Sequence, residues 1–113
     1  MVIVKVYNDL WEFYRERGSF KRHKRLKVFW LKGFKCVHCG IEGNCIIKWK
    51  QGKKHTHYDL YHISKSGRIL MTVDHIIPKS LGGKWNIENL DPMCCNCNQE
   101  KGDTLCLPMM ATV

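Results

Sequence analysis

The chain has 113 residues, 44% of them hydrophobic and four of them tryptophan, with a formal net charge of +9. That size allows one domain with a modest core, and the apolar content argues against disorder. No apolar run approaches the length of a membrane span. The seven cysteines are odd in number, which fits poorly with a disulfide framework, and the N-terminal residues do not read as a secretory leader, so the expectation is a reduced, intracellular protein whose cysteines bind metal.

Taken in chain order, Asp9 is placed to cap a short helix through Leu10, Trp11, Phe13 and Tyr14 that ends near Gly18. Ser19 then opens a second helix running to about Leu31 or Lys32, with Gly33 as its stop. Leu26, Phe29 and Trp30 fall at i, i+3 and i+4 and give that helix one apolar face. Its other side carries Lys21, Arg22, Lys24, Arg25 and Lys27, and no acidic residue lies between Ser19 and Lys35. A second basic stretch holds Lys48, Lys50, Lys53 and Lys54. Such clusters suit a polyanion, because each neutralised phosphate releases counterions. They also suit a solvated surface, and charge alone leaves the two readings level.

From Cys45 to Thr72 the residues become β-rich. Ile46–Lys50 and Tyr58–Ile63 read as strands joined by a loop at Gln51-Gly52-Lys53-Lys54, and Ser66-Gly67 reads as a second turn. Arg68–Val73 then runs straight into Asp74-His75, and Pro78, Gly82 and Gly83 mark a loop beyond it. Cys95 to about Gly102 can form a short helix, followed by a tail. His55-Thr56-His57 could hold a second metal, although a DNA-facing or plainly solvated hairpin with Trp49 and Lys50 explains it as well.

Two Cys-x-x-Cys pairs, Cys36/Cys39 and Cys94/Cys97, offer four soft thiolates to a closed tetrahedral zinc ion. Such a zinc is structural, since no position stays open for substrate. Buried free thiols or a redox pair are the plainer alternatives. Cys95 could replace Cys94, but only Cys94 keeps the x-x spacing. Cys45, Cys95 and Cys106 are then small core residues.

Asp74-His75 sets a carboxylate beside an imidazole at a strand end. Neighbours on a regular strand face opposite ways, so both serve one site only where the strand ends or bends. Asp74-His75 before Pro78, Gly82-Gly83, Asn89-Leu90, and Cys94/Cys97 followed by Asn98, all after Cys36/Cys39, resemble in order the HNH, or ββα-metal, nuclease family. The likeness spans roughly residues 36–102. It implies an α+β fold: a small ββα-metal (His-Me finger) core stapled by the zinc knuckle, with N-terminal basic helices and an inserted β-hairpin. One domain, 1–113, would comprise a basic helical part (1–35), the core (36–103) and a tail (104–113).

The resemblance also implies roles. His75, when neutral, takes a proton from water. Asp74 and Asn98 offer hard oxygen ligands to Mg2+ or Mn2+, and Asn89 braces the loop that orients the histidine. Taken singly, His75 reads as a satisfied core histidine, Asp74 as a turn residue, Asn98 as a helix cap and Asn89 as a turn asparagine. The third position is often a second histidine in the family, and Asn98 resembles the variant in phage endonuclease VII. The implied function is metal-dependent DNA cleavage, with Lys21, Arg22, Lys24, Arg25, Lys27, Lys50, Lys53 and Lys54 on the phosphates. The sequence leaves a homodimer open and gives no membrane partner. Small stand-alone members of this family are typical of phages and mobile elements. A non-catalytic zinc-stabilised nucleic-acid-binding protein, or a zinc-stapled domain that meets an acidic protein, are the rival readings.

Overall fold

The computed structural model describes residues 1–16, 23–53 and 55–102. The strands are β1 (Val2–Tyr7), β2 (Cys45–Gln51), β3 (His55–Ser64), β4 (Gly67–His75) and β5 (Leu90–Cys94). They form one sheet in the order β1-β2-β3-β4-β5, and each neighbouring pair is antiparallel. Helices α1 (Leu10–Glu16) and α2 (Lys24–Lys32) come before β2, and α3 (Cys95–Lys101) follows β5. The fold is α+β, as the sequence implies.

The helix signals in the sequence are read correctly in part. The Asp9 carboxylate accepts from the backbone N–H groups of Trp11 and Glu12 at 3.0 and 3.3 Å, which caps α1. Gly33 ends α2 at φ 101°, donating its N–H to the Phe29 carbonyl. The start of α2 is different: its first residue is Lys24, after His23, which makes no side-chain cap bond. The expected cap Ser19, the expected stop Gly18, and Lys21 and Arg22 lie outside the described residues, as do Lys54 and the tail with Cys106.

Two strands were not foreseen. β1 lines the outer edge of β2, so Tyr7 pairs with Ile46. β5 contains Pro92, and proline normally demotes a central strand because it has no N–H to give. β5 tolerates it because its ladder partner is β4, while on its other side the Pro92 carbonyl accepts only the Val37 N–H at 3.0 Å. The β2–β3 hairpin is consequently not an appendage, because β1 and β4 flank it in the same sheet.

Ile46 and Ile47 are consecutive and both buried, which places apolar residues on both sides of the sheet. The larger core joins Tyr7, Phe13, Tyr14, Leu26, Phe29, Ile46, Tyr58, Leu60, Met71 and Leu90. Its rings meet edge-on, with centroids 5.0 Å apart for Tyr7 and Phe13 and 5.1 Å for Phe13 and Tyr14. The buried Tyr14 hydroxyl donates to the Leu26 carbonyl at 2.6 Å, which locks α1 to α2, and burial pushes its ionisation up. The smaller cluster holds Cys45, Ile47 and Tyr61, with Trp49, Ile63 and Leu70 packed against it. Leu26 and Phe29 face the core as expected, whereas Trp30 sits at its rim against Trp11 and Tyr14.

Candidate functional site

Helix α3 carries a different cluster near each end. At its start, Cys94 and Cys97 meet Cys36 and Cys39, and the four sulfurs all lie within 4.8 Å of one another. The Cys39 and Cys94 sulfurs are 3.7 Å apart. A tetrahedral zinc with Zn–S bonds of about 2.3 Å would set its sulfurs about 3.8 Å apart. Each pair is a knuckle in which the second cysteine's N–H donates to the first one's sulfur, Cys39 to Cys36 at 3.5 Å and Cys97 to Cys94 at 3.4 Å. Gly40 turns the first knuckle at φ 81° and donates to the Cys36 carbonyl at 2.9 Å.

The electrostatics fit a bound cation. Burial, then hydrogen bonds from the neighbouring sulfurs, push the Cys97 thiol up, and burial does the same to Cys94. Burial also works against a Cys36 thiolate, yet the backbone N–H groups around it bring it down to about 6. Four sulfurs this close cannot all carry charge unless a positive ion sits among them. Cys95 is buried but outside this group, so Cys94 is the partner of Cys97.

One turn further along α3 the chain opens a cleft of about 570 Å³, lined by Val73, Asp74, His75, Pro78, Lys79, Ser80, Trp85, Asn98, Lys101 and Gly102. His75 is the last residue of β4 and pairs with Leu90, while Asp74 pairs with Asp91. The end of the strand lets both side chains line one cleft. Beyond it, the loop from Ile76 to Glu88 is fastened by Asn89. Its side-chain oxygen accepts from the Ile77 N–H at 2.8 Å, and its amide nitrogen donates to the carbonyls of Ile77 at 3.1 Å and Lys84 at 3.0 Å. The Asn89 carbonyl accepts from the Ile76 N–H at 2.8 Å, next to His75.

The two loop glycines are needed for different reasons. Gly82 turns at φ 89°, whereas a Cβ on Gly83 would lie 1.6 Å from the Ile77 carbonyl oxygen. A side chain at Gly82 would strain the backbone at its positive φ, and one at Gly83 would push the loop away from Ile77 and Asn89.

Asn98 is 5% exposed, and its amide nitrogen donates to the Thr72 hydroxyl at 2.8 Å. That hydroxyl donates in turn to the Met93 carbonyl at 2.7 Å, so β4 and β5 fix the amide plane. His75 is flanked by the Trp85 ring, with centroids 5.5 Å apart. Its Nε2 is buried and finds no hydrogen-bond partner. A buried polar atom without a partner is costly, and in a cleft it points to a group the site takes up. Asp74 is ion-paired with the Lys101 ammonium, which also donates to the His75 carbonyl at 3.4 Å. The site already draws a cation to Asp74.

The residues singled out for phosphate binding are not gathered in one place. Lys24 donates to the Trp85 carbonyl and its ammonium lies 6.0 Å from that ring. Arg25 pairs with Asp59 at 3.5 Å. Lys27 is half-buried, and Lys50 and Lys53 are exposed on the β2–β3 hairpin. His55 and His57 share no metal-ligating group with a third residue among the described residues. Lys101 and Trp85 were missed by sequence reading. Lys101 could have been found, because i and i+3 share a helix face and so place it beside Asn98. Trp85 carries no such signal.

A family model described as HNH endonuclease matches residues 64–109, less than half of the chain. The matched segment contains Asp74, His75, Asn89, both downstream cysteines and Asn98. No curated protein and no solved structure matches the chain. No helix among the described residues is long and apolar enough to cross a membrane.

Proposed function

We propose that this protein is an HNH-type nuclease of the ββα-metal kind that hydrolyses DNA phosphodiester bonds. The observation that carries the reading is the convergence of Asp74, His75 and Asn98 on one cleft, with the His75 Nε2 buried and unpartnered. The family match over the same segment supports it.

In this reading the four cysteines hold a structural zinc, and Asp74 and Asn98 hold a magnesium or manganese ion. The donor set fits: thiolates take the softer ion and oxygens the harder one. When bound, the hard ion supplies charge neutralisation at the phosphate and the leaving oxygen. The chain's residues do the rest. His75 accepts the proton of the attacking water at its Nε2. Asn89 holds the loop that aims the imidazole, and Thr72 keeps Asn98 oriented. Trp85 shields one side of the ring from solvent. Lys50, Lys53 and the cations of α2 hold the DNA backbone, so that affinity is largely independent of sequence.

Incubation of the zinc-loaded protein with supercoiled plasmid tests this directly. Relaxed or linear product should form with magnesium or manganese and not with chelator. An uncut plasmid that is still bound in a salt-dependent way would replace the nuclease with a non-catalytic DNA-binding protein.

A further inference from the structure

The geometry points to Lys101 as an exchangeable cation: we propose that its ammonium occupies Asp74 in the DNA-free protein and must leave before a divalent ion can bind there. The inference rests on the metal-ligand reading of Asp74 given above and adds a residue that limits how readily that ion binds.

Lys101 sits in the last turn of α3, three residues after Asn98, and thus on the same helix face. Its ammonium pairs with Asp74 Oδ2 and donates to the His75 carbonyl at 3.4 Å. The carboxylate is only 15% exposed, whereas the lysine side chain is 47% exposed. The lysine stem is therefore free to swing outward, but the carboxylate stays in the cleft. Among the described residues no other basic group makes an ion pair with Asp74. A divalent ion approaching Asp74 meets a positive charge already neutralising its ligand, and the two cations repel.

Exchange has a consequence for substrate as well. Once displaced, the ammonium remains at the cleft lip beside Gly102, where it can meet a phosphate. The same residue thus disfavours the ion in the empty site and adds positive charge once DNA is present. Exposed ion pairs are worth up to about 1 kcal/mol, which corresponds to about fivefold in binding.

Binding of Mn2+ to zinc-loaded, DNA-free protein can be followed by the free-ion electron paramagnetic resonance signal. Lys101→Met should bind Mn2+ about fivefold more tightly than the wild type. Lys101→Arg keeps the charge and should bind like the wild type. If Lys101→Met binds Mn2+ no more tightly than wild type while folded, the exchange idea is overturned. Asp74→Asn separates the two levels of the argument, because it should abolish this Mn2+ site in either background. Unchanged Mn2+ binding by Asp74→Asn would overturn the metal-ligand reading itself, whatever Lys101 does.

Discussion

Aromatic packing holds the N-terminal half around α1, whereas in the C-terminal half, where β4 and β5 join the same core through Met71 and Leu90, sulfur-bearing and polar side chains fasten helix α3. In the first half, Tyr7, Phe13, Tyr14 and Tyr58 interlock around α1, and most of their surfaces are out of water. In the second, the helix α3 is seven residues long and buries little beyond Cys95 and Asn98. A helix that short has marginal stability by itself. The cysteine cluster fastens its first turn, and Asn98 anchors its middle to β4. The difference teaches that α3, and with it Asn98 and Lys101, is placed by the cysteine cluster and directional bonds more than by its own apolar surface, so losing the sulfurs should cost far more than losing any one polar contact.

The largest effect should come from the sulfurs. Structural zinc in small domains is worth about 10–16 kcal/mol of apparent folding free energy. Cys36→Ser should therefore cost the protein its zinc and the ordered arrangement of α3, read by metal analysis and near-ultraviolet circular dichroism. A zinc-free Cys36→Ser/Cys97→Ser protein that remains well folded would break the comparison at once.

Removing a ring from the other half should act differently. Phe13→Ala should destabilise the protein by about 3–5 kcal/mol in denaturant unfolding. Below its transition it should still carry a full complement of zinc. Zinc lost in step with the ring packing, before global unfolding, would show that the two halves are not separately held.

The smallest effect concerns charge. Lys50 and Lys53 are exposed, while Lys24 and Arg25 are held by Trp85 and Asp59. Replacing Lys50 and Lys53 with Ala should flatten the salt dependence of DNA binding by about two phosphate contacts. The Lys24→Ala/Arg25→Ala pair should flatten it less, because those cations already have partners. The reverse order would place the DNA on α2 and not on the hairpin.

The contrast between the halves also explains what could be read from the residues alone. That Cys36/Cys39 would meet Cys94/Cys97, and Asp74-His75 would meet Asn98, was legible because chemistry restricts which side chains can serve a metal or a phosphate and at what spacing. Packing leaves looser marks. β1 was missed because Val2–Tyr7 is short and interrupted by Lys5, so it reads as well as an unpaired end. β5 was hidden by Pro92, whose cost depends on which side of the strand is paired. The start of α2 at Lys24 left no mark in the sequence, because His23 before it makes no side-chain cap bond. Lys101 escaped notice because it is one of 19 lysines and arginines in this chain, although its i+3 spacing puts it on the helix face of Asn98.

The most direct test of the account is cleavage of supercoiled plasmid by His75→Ala beside the wild type, both zinc-loaded, folded and bound to DNA, with magnesium present. Loss of a general base typically slows a reaction by about a hundred- to ten-thousand-fold. The account predicts a loss of that size in His75→Ala with folding and DNA binding intact. Equal cleavage by the two proteins would remove His75 from the chemistry and contradict the proposed site.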